Sequence, residues 1–178
     1  MRKLSMKTNT QTTLSGFAML EVLISILVIA FGLLGLAGLQ GFSIRNNHNA
    51  YLRSQTTLLA YDIVDRMRAN RNGIDTGAYN LGPVATGTSA CQFTSSPSAC
   101  NSAALAAYDL FVWQQILAQQ LPGGRGVVCI DSDAAAGTPA APNCNGTGAN
   151  GTAQYVAKIW FTESATGPQT QFTVPFQP

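Results

Sequence analysis

Hydrophobic residues are concentrated in one stretch near the start of the chain. Residues 17–39 are almost continuously apolar, with no proline and a single charged residue, Glu21. A helix of this length rises about 35 Å, which is enough to cross a hydrocarbon core of about 30 Å. The pattern therefore predicts a membrane-spanning helix over residues 17–41. The preceding segment carries Arg2, Lys3 and Lys7 and no acid, which favours a cytoplasmic N-terminus.

The one carboxylate in this apolar stretch needs a cationic partner. A charged side chain inside a membrane helix costs about 2.5–3.5 kcal/mol on insertion scales. Glu21 lies four residues after Phe17, one turn along the same helix face. If the chain were cleaved between Gly16 and Phe17, the new α-amino group would supply a cation within one turn of Glu21. The alternative is an acid that snorkels to a membrane surface.

Beyond residue 41, apolar and polar positions recur with helical spacing. This pattern fades near Asn72, and Gly73 is typical of a helix C-terminal cap. We therefore expect one helix over residues 17–72, with an amphipathic half over residues 42–72. The predicted apolar stripe of that half consists of Ile44, Tyr51, Leu52, Leu59, Ile63 and Met67.

The pattern in residues 73–178 predicts one globular head with an α+β fold. A second helix begins at Asn101 or Ser102 and ends before Pro122. Its predicted apolar stripe is Leu105, Tyr108, Val112 and Ile116, widened by Trp113 and Leu117. Strands are expected over 126–130, 155–162 and 171–176, because apolar side chains alternate there or run continuously. We expect these strands to form a small antiparallel sheet on the amphipathic half of the long helix.

Four cysteines follow the apolar stretch: Cys91, Cys100, Cys129 and Cys144. None belongs to a C-x-x-C pair and the single histidine, His48, is distant, so a zinc site is not indicated. Outside the cytoplasm, disulfides are the default. Of the three pairings that four cysteines allow, Cys91–Cys100 and Cys129–Cys144 are favoured because each closes a short loop. Free buried thiols are the alternative.

Composition and motifs indicate neither an enzyme nor a nucleic-acid binder. Charged residues make up 10% of the chain, well below the ~25% of typical domains. The net charge is only +2. No basic stripe with interleaved aromatics is present, and no catalytic or cofactor-binding motif is visible. The acids in Asp131-Ser132-Asp133 lack the continuation of an EF-hand loop, so no metal site is predicted.

The junction Gly16-Phe17-Ala18-Met19-Leu20-Glu21, directly before such a helix, resembles the type IV pilin superfamily. The continuation from Gly32 to Gln40 resembles the PilV-type minor pilins most. The resemblance implies a leader over residues 1–16, cleavage after Gly16 by a prepilin peptidase and N-methylation of Phe17. It also implies that Glu21 is the residue that guides assembly, and that the fold is a long helix packed on a small sheet.

The same resemblance implies a minor pilin that helps to start pilus assembly, within a tip complex, and so supports adhesion and twitching motility. Its implied partners are the peptidase, other minor pilins, the major pilin, the inner-membrane assembly platform and, before assembly, the lipid bilayer. Residues 73–178 would then lie in the periplasm, or outside the cell on the pilus. One alternative is a type II secretion pseudopilin. Another is an exported soluble binding domain, with an ordinary signal peptide cleaved near Ala37-Gly38.

Overall fold

The computed structural model describes residues 15–80, 91, 100–146, 153–164 and 167–177, with side chains described from residue 19 onward. Three helices, α1 to α3, and three strands, β1 to β3, lie in these ranges. In chain order they are Ser15–Ala69, Arg71–Asp75, Ser102–Gln120, Arg125–Ile130, Tyr155–Thr162 and Gln169–Phe176. The chain divides into an N-terminal unit, Met1–Asn47, and a C-terminal unit, His48–Pro178.

The three strands form an antiparallel sheet in the order β1-β2-β3. In its register, Val127 and Thr173 lie on either side of Lys158. Alternate residues of β2, including Tyr155, Ala157 and Ile159, belong to the hydrophobic core of the C-terminal unit. The predicted α+β fold, a long N-terminal helix with a small antiparallel sheet, is confirmed.

The core of the C-terminal unit is completed by two helices. The C-terminal part of α1 contributes Leu52, Leu59, Ala60, Ile63, Val64 and Met67, and α3 contributes Ala106, Leu110, Trp113 and Leu117. The indole Nε1 of Trp113 donates a hydrogen bond of 2.8 Å to the carbonyl oxygen of Leu59. Because this donor is fully buried, the hydrogen bond satisfies a polar group that would otherwise be costly inside the core.

The predicted helix end at Gly73 is wrong. Helix α1 ends at Ala69, and Asn70 (φ −110°) caps the short helix α2, with its side chain accepting from the Gly73 N–H. The Asn70 amide also donates to the Ser102 carbonyl oxygen at 2.8 Å. Gly73 lies inside α2, where an added Cβ would come within 2.5 Å of the Asn70 amide nitrogen. The glycine therefore permits close packing and does not cap the long helix.

The predicted stripes on the two helices are partly wrong. Tyr51 is 58% exposed, whereas its neighbour Leu52 is buried. On α3 the buried positions are Ala106, Asp109, Leu110, Trp113 and Leu117. Of the residues predicted for the apolar stripe of α3, only Trp113 and Leu117 are therefore buried. Neighbouring residues of a helix point in directions about 100° apart. Apolar residues occupy so many positions on these helices that the sequence did not show which face is buried.

We expect Leu59→Ala to destabilise the C-terminal unit strongly and the neighbouring Leu58→Ala to change little. Leu59 is 7% exposed and Leu58 is 63% exposed. The first change should lower the free energy of unfolding by about 2–5 kcal/mol, because it leaves a cavity. The second should stay within about 0.5 kcal/mol. Urea unfolding of the full chain in detergent, followed by tryptophan fluorescence, measures both; equal effects would contradict the core assignment.

Candidate functional site

The N-terminal unit consists of a helix with an apolar surface on all sides. Every large apolar side chain from Met19 to Ile44 is between 49% and 80% exposed. Over the described residues, α1 is the one helix long and apolar enough to span a membrane, and its most apolar window is not buried in the structure. A helix buried in the core of a soluble protein would hide these side chains. This surface therefore fits membrane anchoring or burial against other helices.

Glu21 is the one carboxylate on this surface, and it is exposed. Ser25, one turn further along, donates its hydroxyl to the Glu21 backbone carbonyl at 2.7 Å, which leaves the carboxylate uninvolved. No ion pair reaches Glu21 within the part of the chain that the structure describes. Any partner for this charge therefore lies outside the described side chains or belongs to another molecule.

Gly16 and Phe17 both lie in the first turn of α1. The backbone nitrogen of Phe17 and Glu21 are therefore one helical turn apart on one continuous helix, as the sequence predicted. The rest of the predicted leader, residues 1–14, lies outside the described residues. Cleavage and methylation at this junction stay predictions.

A stripe of four glycines adds a second feature to the same helix. Gly32, Gly35, Gly38 and Gly41 have no heavy atom within 4 Å of the position where a Cβ would stand. Small residues on a membrane helix allow neighbouring backbones to approach closely. The stripe is therefore open to contact by another helix.

In the C-terminal unit, the cysteines are joined as Cys91–Cys100 and Cys129–Cys144, with Cα–Cα distances of 4.9 and 5.9 Å. This is the pairing that the sequence favoured. The second disulfide closes a loop that runs from the end of β1 across the second face of the sheet. We call residues 131–146 the covering loop.

Sequence reasoning missed the buried ion pair beneath the covering loop. Lys158 and Asp131 form a salt bridge in which both side chains are fully buried. The Lys158 ammonium also donates to the carbonyl oxygens of Ala136 at 2.6 Å and Pro142 at 2.9 Å, with a longer contact of 3.4 Å to Asp133. The ammonium thus has four oxygen partners in one loop. Such complete pairing is what a buried charge requires.

The surroundings of Asp131 act on its pKa in opposite directions. Burial alone raises the pKa, because it penalises the charged form. The hydrogen bond from Lys158, the backbone N–H groups of Asp133 and Asn145 and the charge of Lys158 outweigh burial and hold the pKa below its ordinary value of 3.8. Asp131 is thus an ionised partner of Lys158.

A second polar network, also missed, joins helices α1 and α3. Asp109 accepts a hydrogen bond of 2.7 Å from the Tyr79 hydroxyl, and Arg66 lies 3.5 Å from its other oxygen. Burial, followed by the hydrogen bond to Asp109, raises the pKa of Tyr79 above its usual range. The tyrosine is therefore a neutral donor, and the network serves packing. Within the described ranges no group of three or more His, Cys, Asp or Glu residues could hold a metal ion.

We expect the stability of the C-terminal unit to fall when the pH drops below 3.8, the ordinary pKa of Asp131. A carboxyl whose pKa is lowered by folding stabilises the fold fully above that value and loses this contribution as the pH falls through the folded pKa, at no more than about 1.4 kcal/mol per pH unit. Asp131→Asn should flatten this part of the pH profile. Asp65→Asn, at an exposed ion pair, is the control and should keep it. Urea unfolding at each pH measures both variants, and a profile unchanged by Asp131→Asn would contradict the pairing.

Comparison with known proteins gives one family match. Residues 38–111 match the family model "Tt1218-like: Type IV pilin Tt1218", a span of less than half of the chain. No curated protein and no solved structure gives a match. The matched segment runs from the end of the apolar stretch through the amphipathic part of α1 into α3. Over this segment the chain is therefore similar to type IV pilins, and its long helix and three-stranded antiparallel sheet fit that likeness.

Proposed function

We propose that this chain is a minor pilin of a type IV pilus, most like the PilV-type proteins. A prepilin peptidase removes residues 1–16 and methylates Phe17. The prepilin is held in the inner membrane by residues 17–41, with residues 73–178 in the periplasm. After processing it joins other minor pilins and the major pilin through the assembly platform, helps to start the pilus and supports adhesion and twitching motility.

The observation that carries this proposal is the exposure of the whole apolar surface of α1 around one carboxylate. In water, about 25 cal/mol is lost for each Å² of apolar surface left exposed, so a helix of this kind requires a nonpolar surrounding. Lipid supplies it before assembly, and like helices supply it in a filament. Because each subunit would contact the next through a different surface, the contacts repeat without closing and give a fibre.

Glu21 would give this assembly its register. Apolar helices can slide past one another at little cost, whereas an unpaired charge in a bundle costs several kcal/mol. The α-amino group of Phe17, created by cleavage, is the cation one turn away on the same chain or its equivalent on the neighbouring subunit. Only the arrangement in which each carboxylate meets an amine leaves no charge unpaired.

One prediction of this proposal concerns the mature N-terminus. Intact-mass and N-terminal peptide analysis of the protein from its native membrane should show a chain that lacks residues 1–16 and begins with N-methyl-Phe17. A chain that begins near Leu39 would contradict the proposal and favour the exported binding domain. A methylated Phe17 on a protein that is absent from sheared pili but needed for secretion would favour the pseudopilin.

A second prediction concerns Glu21→Ala. The variant should be cleaved and methylated as usual, but its amount in sheared pili should fall by about tenfold or more, because an amine is left unpaired in the bundle. Ser25→Ala, one turn away on the same helix, is the control and should be incorporated normally. Immunoblots of the shear and membrane fractions measure both. Normal incorporation of Glu21→Ala would contradict the role in register.

A further inference from the structure

The buried ammonium of Lys158 holds both arms of the covering loop close to its disulfide. Its ion-pair partner Asp131 lies two residues after Cys129, and its acceptor Pro142 lies two residues before Cys144. The two cysteines are therefore flanked by residues bound to the same nitrogen atom. The Gly146 N–H adds a hydrogen bond of 3.1 Å to the Ile130 carbonyl oxygen at the open end of the loop.

The backbone of Lys158 is held on both sides by the neighbouring strands. Lys158 is in the middle of β2, paired with Val127 on β1 and Thr173 on β3. Cys129 pairs with Val156, two residues from Lys158 on the same face of the sheet. Once β1 and β2 have paired, the ammonium and the first thiol are in place, and only the arm carrying Cys144 remains to be ordered.

We propose that Lys158 is a positioning residue for the oxidation of Cys129 and Cys144. While the thiols are still reduced, its ammonium donates hydrogen bonds to the carbonyl groups of the covering loop. These bonds bring Cys144 next to Cys129. This contact favours the Cys129–Cys144 bond over the two other pairings. The inference concerns the folding of the C-terminal unit and does not rest on the proposed role in a pilus.

The chemical step is thiol–disulfide exchange with a small disulfide such as oxidised glutathione. The thiolate of one cysteine attacks glutathione disulfide and releases one glutathione thiolate, which takes up a proton. The second cysteine thiolate then attacks the protein sulfur of the mixed disulfide and releases the second glutathione. Both cysteines are oxidised and one glutathione disulfide is reduced to two thiols. Lys158 acts on the second attack, because it brings the two protein sulfurs together.

Closing a loop of this length lowers the conformational entropy of the chain. The Lys158 contacts would order part of the loop before the disulfide bond forms. Ordering a flexible loop becomes more costly as its length increases, and Cys129 and Cys144 are 15 residues apart. Contacts that hold the arms together raise the effective concentration of one thiol at the other. By linkage, the disulfide must stabilise the Lys158 contacts by the same factor.

The test measures the effective concentration of each cysteine pair in the full chain in detergent micelles. Cys91→Ser/Cys100→Ser isolates the pair at 129 and 144, which is equilibrated with mixtures of reduced and oxidised glutathione, quenched, alkylated and quantified by mass. Lys158→Met should lower its effective concentration by about tenfold or more, since one partner of a buried ion pair is removed. Arg53→Met removes a cation from an exposed ion pair and should leave it unchanged.

A second background separates positioning from general destabilisation. Cys129→Ser/Cys144→Ser isolates the pair at 91 and 100, and Lys158→Met should leave its effective concentration within about twofold. An equal fall for both pairs, or no fall for either pair, would overturn the proposal. If circular dichroism shows that Lys158→Met is unfolded, Lys158→Met/Asp131→Leu replaces it in both backgrounds, because it leaves no lone buried carboxylate. The expected result and the overturning results are then the same.

Discussion

The constraint on which this molecule depends is the exposure of a long apolar helix surface with a single carboxylate. Between Met19 and Ile44 none of the large apolar side chains is even half covered by the rest of the chain, except for Leu27, which is 49% exposed. A soluble domain removes such surface from water by folding over it, whereas the residues described here leave it exposed. The nonpolar surrounding must come from lipid or from other helices. This exposed surface fits membrane anchoring or contact with other helices.

The C-terminal unit, by contrast, covers its own apolar surface, and the central strand β2 is buried on both faces of the sheet. Helices α1 and α3 cover one face with Leu59, Ile63, Trp113 and their neighbours. The covering loop lies over the other, where Lys158 replaces the apolar side chain expected in a core. An ammonium can organise an irregular loop in a way that a methyl group cannot, because it donates hydrogen bonds to several carbonyl oxygens of that loop. One buried cation thus binds carbonyl oxygens from separate parts of the covering loop.

Much of the fold could be predicted from the sequence because its elements depend on local patterns. The bounds of β2 and the start of α3 are set by neighbours in the chain. The strand Tyr155–Thr162 was predicted correctly, and of the two predicted caps, Asn101 and Ser102, the structure has Asn101. The errors arose where the outcome depends on distant residues. Tyr51 and Leu52 are both apolar, and only the rest of the folded core decides which of them is buried. Gly73 has the residue type of a cap, but its surroundings are set by Asn70 and Ser102. The apolar helix and the candidate cysteine pairs were visible from spacing alone.

The two charges at the centre of the proposals differ in how far the sequence shows them. Glu21 interrupts a long apolar run, and a charge in such a place demands a partner whatever the tertiary structure is. Lys158 is the one charged residue of the mostly apolar strand β2, and antiparallel sheets commonly leave one face to solvent, so a lysine there is expected to be exposed. It is buried because a loop rich in Ala, Gly and Pro folds over that face. A weak signal was present, since Lys158 is the one lysine after residue 7 and lies between Val156 and Trp160. The need for a partner is therefore clear from the sequence at Glu21, where the apolar run is long. It is only weakly indicated at Lys158, because a separate loop of the chain decides whether that side chain is buried.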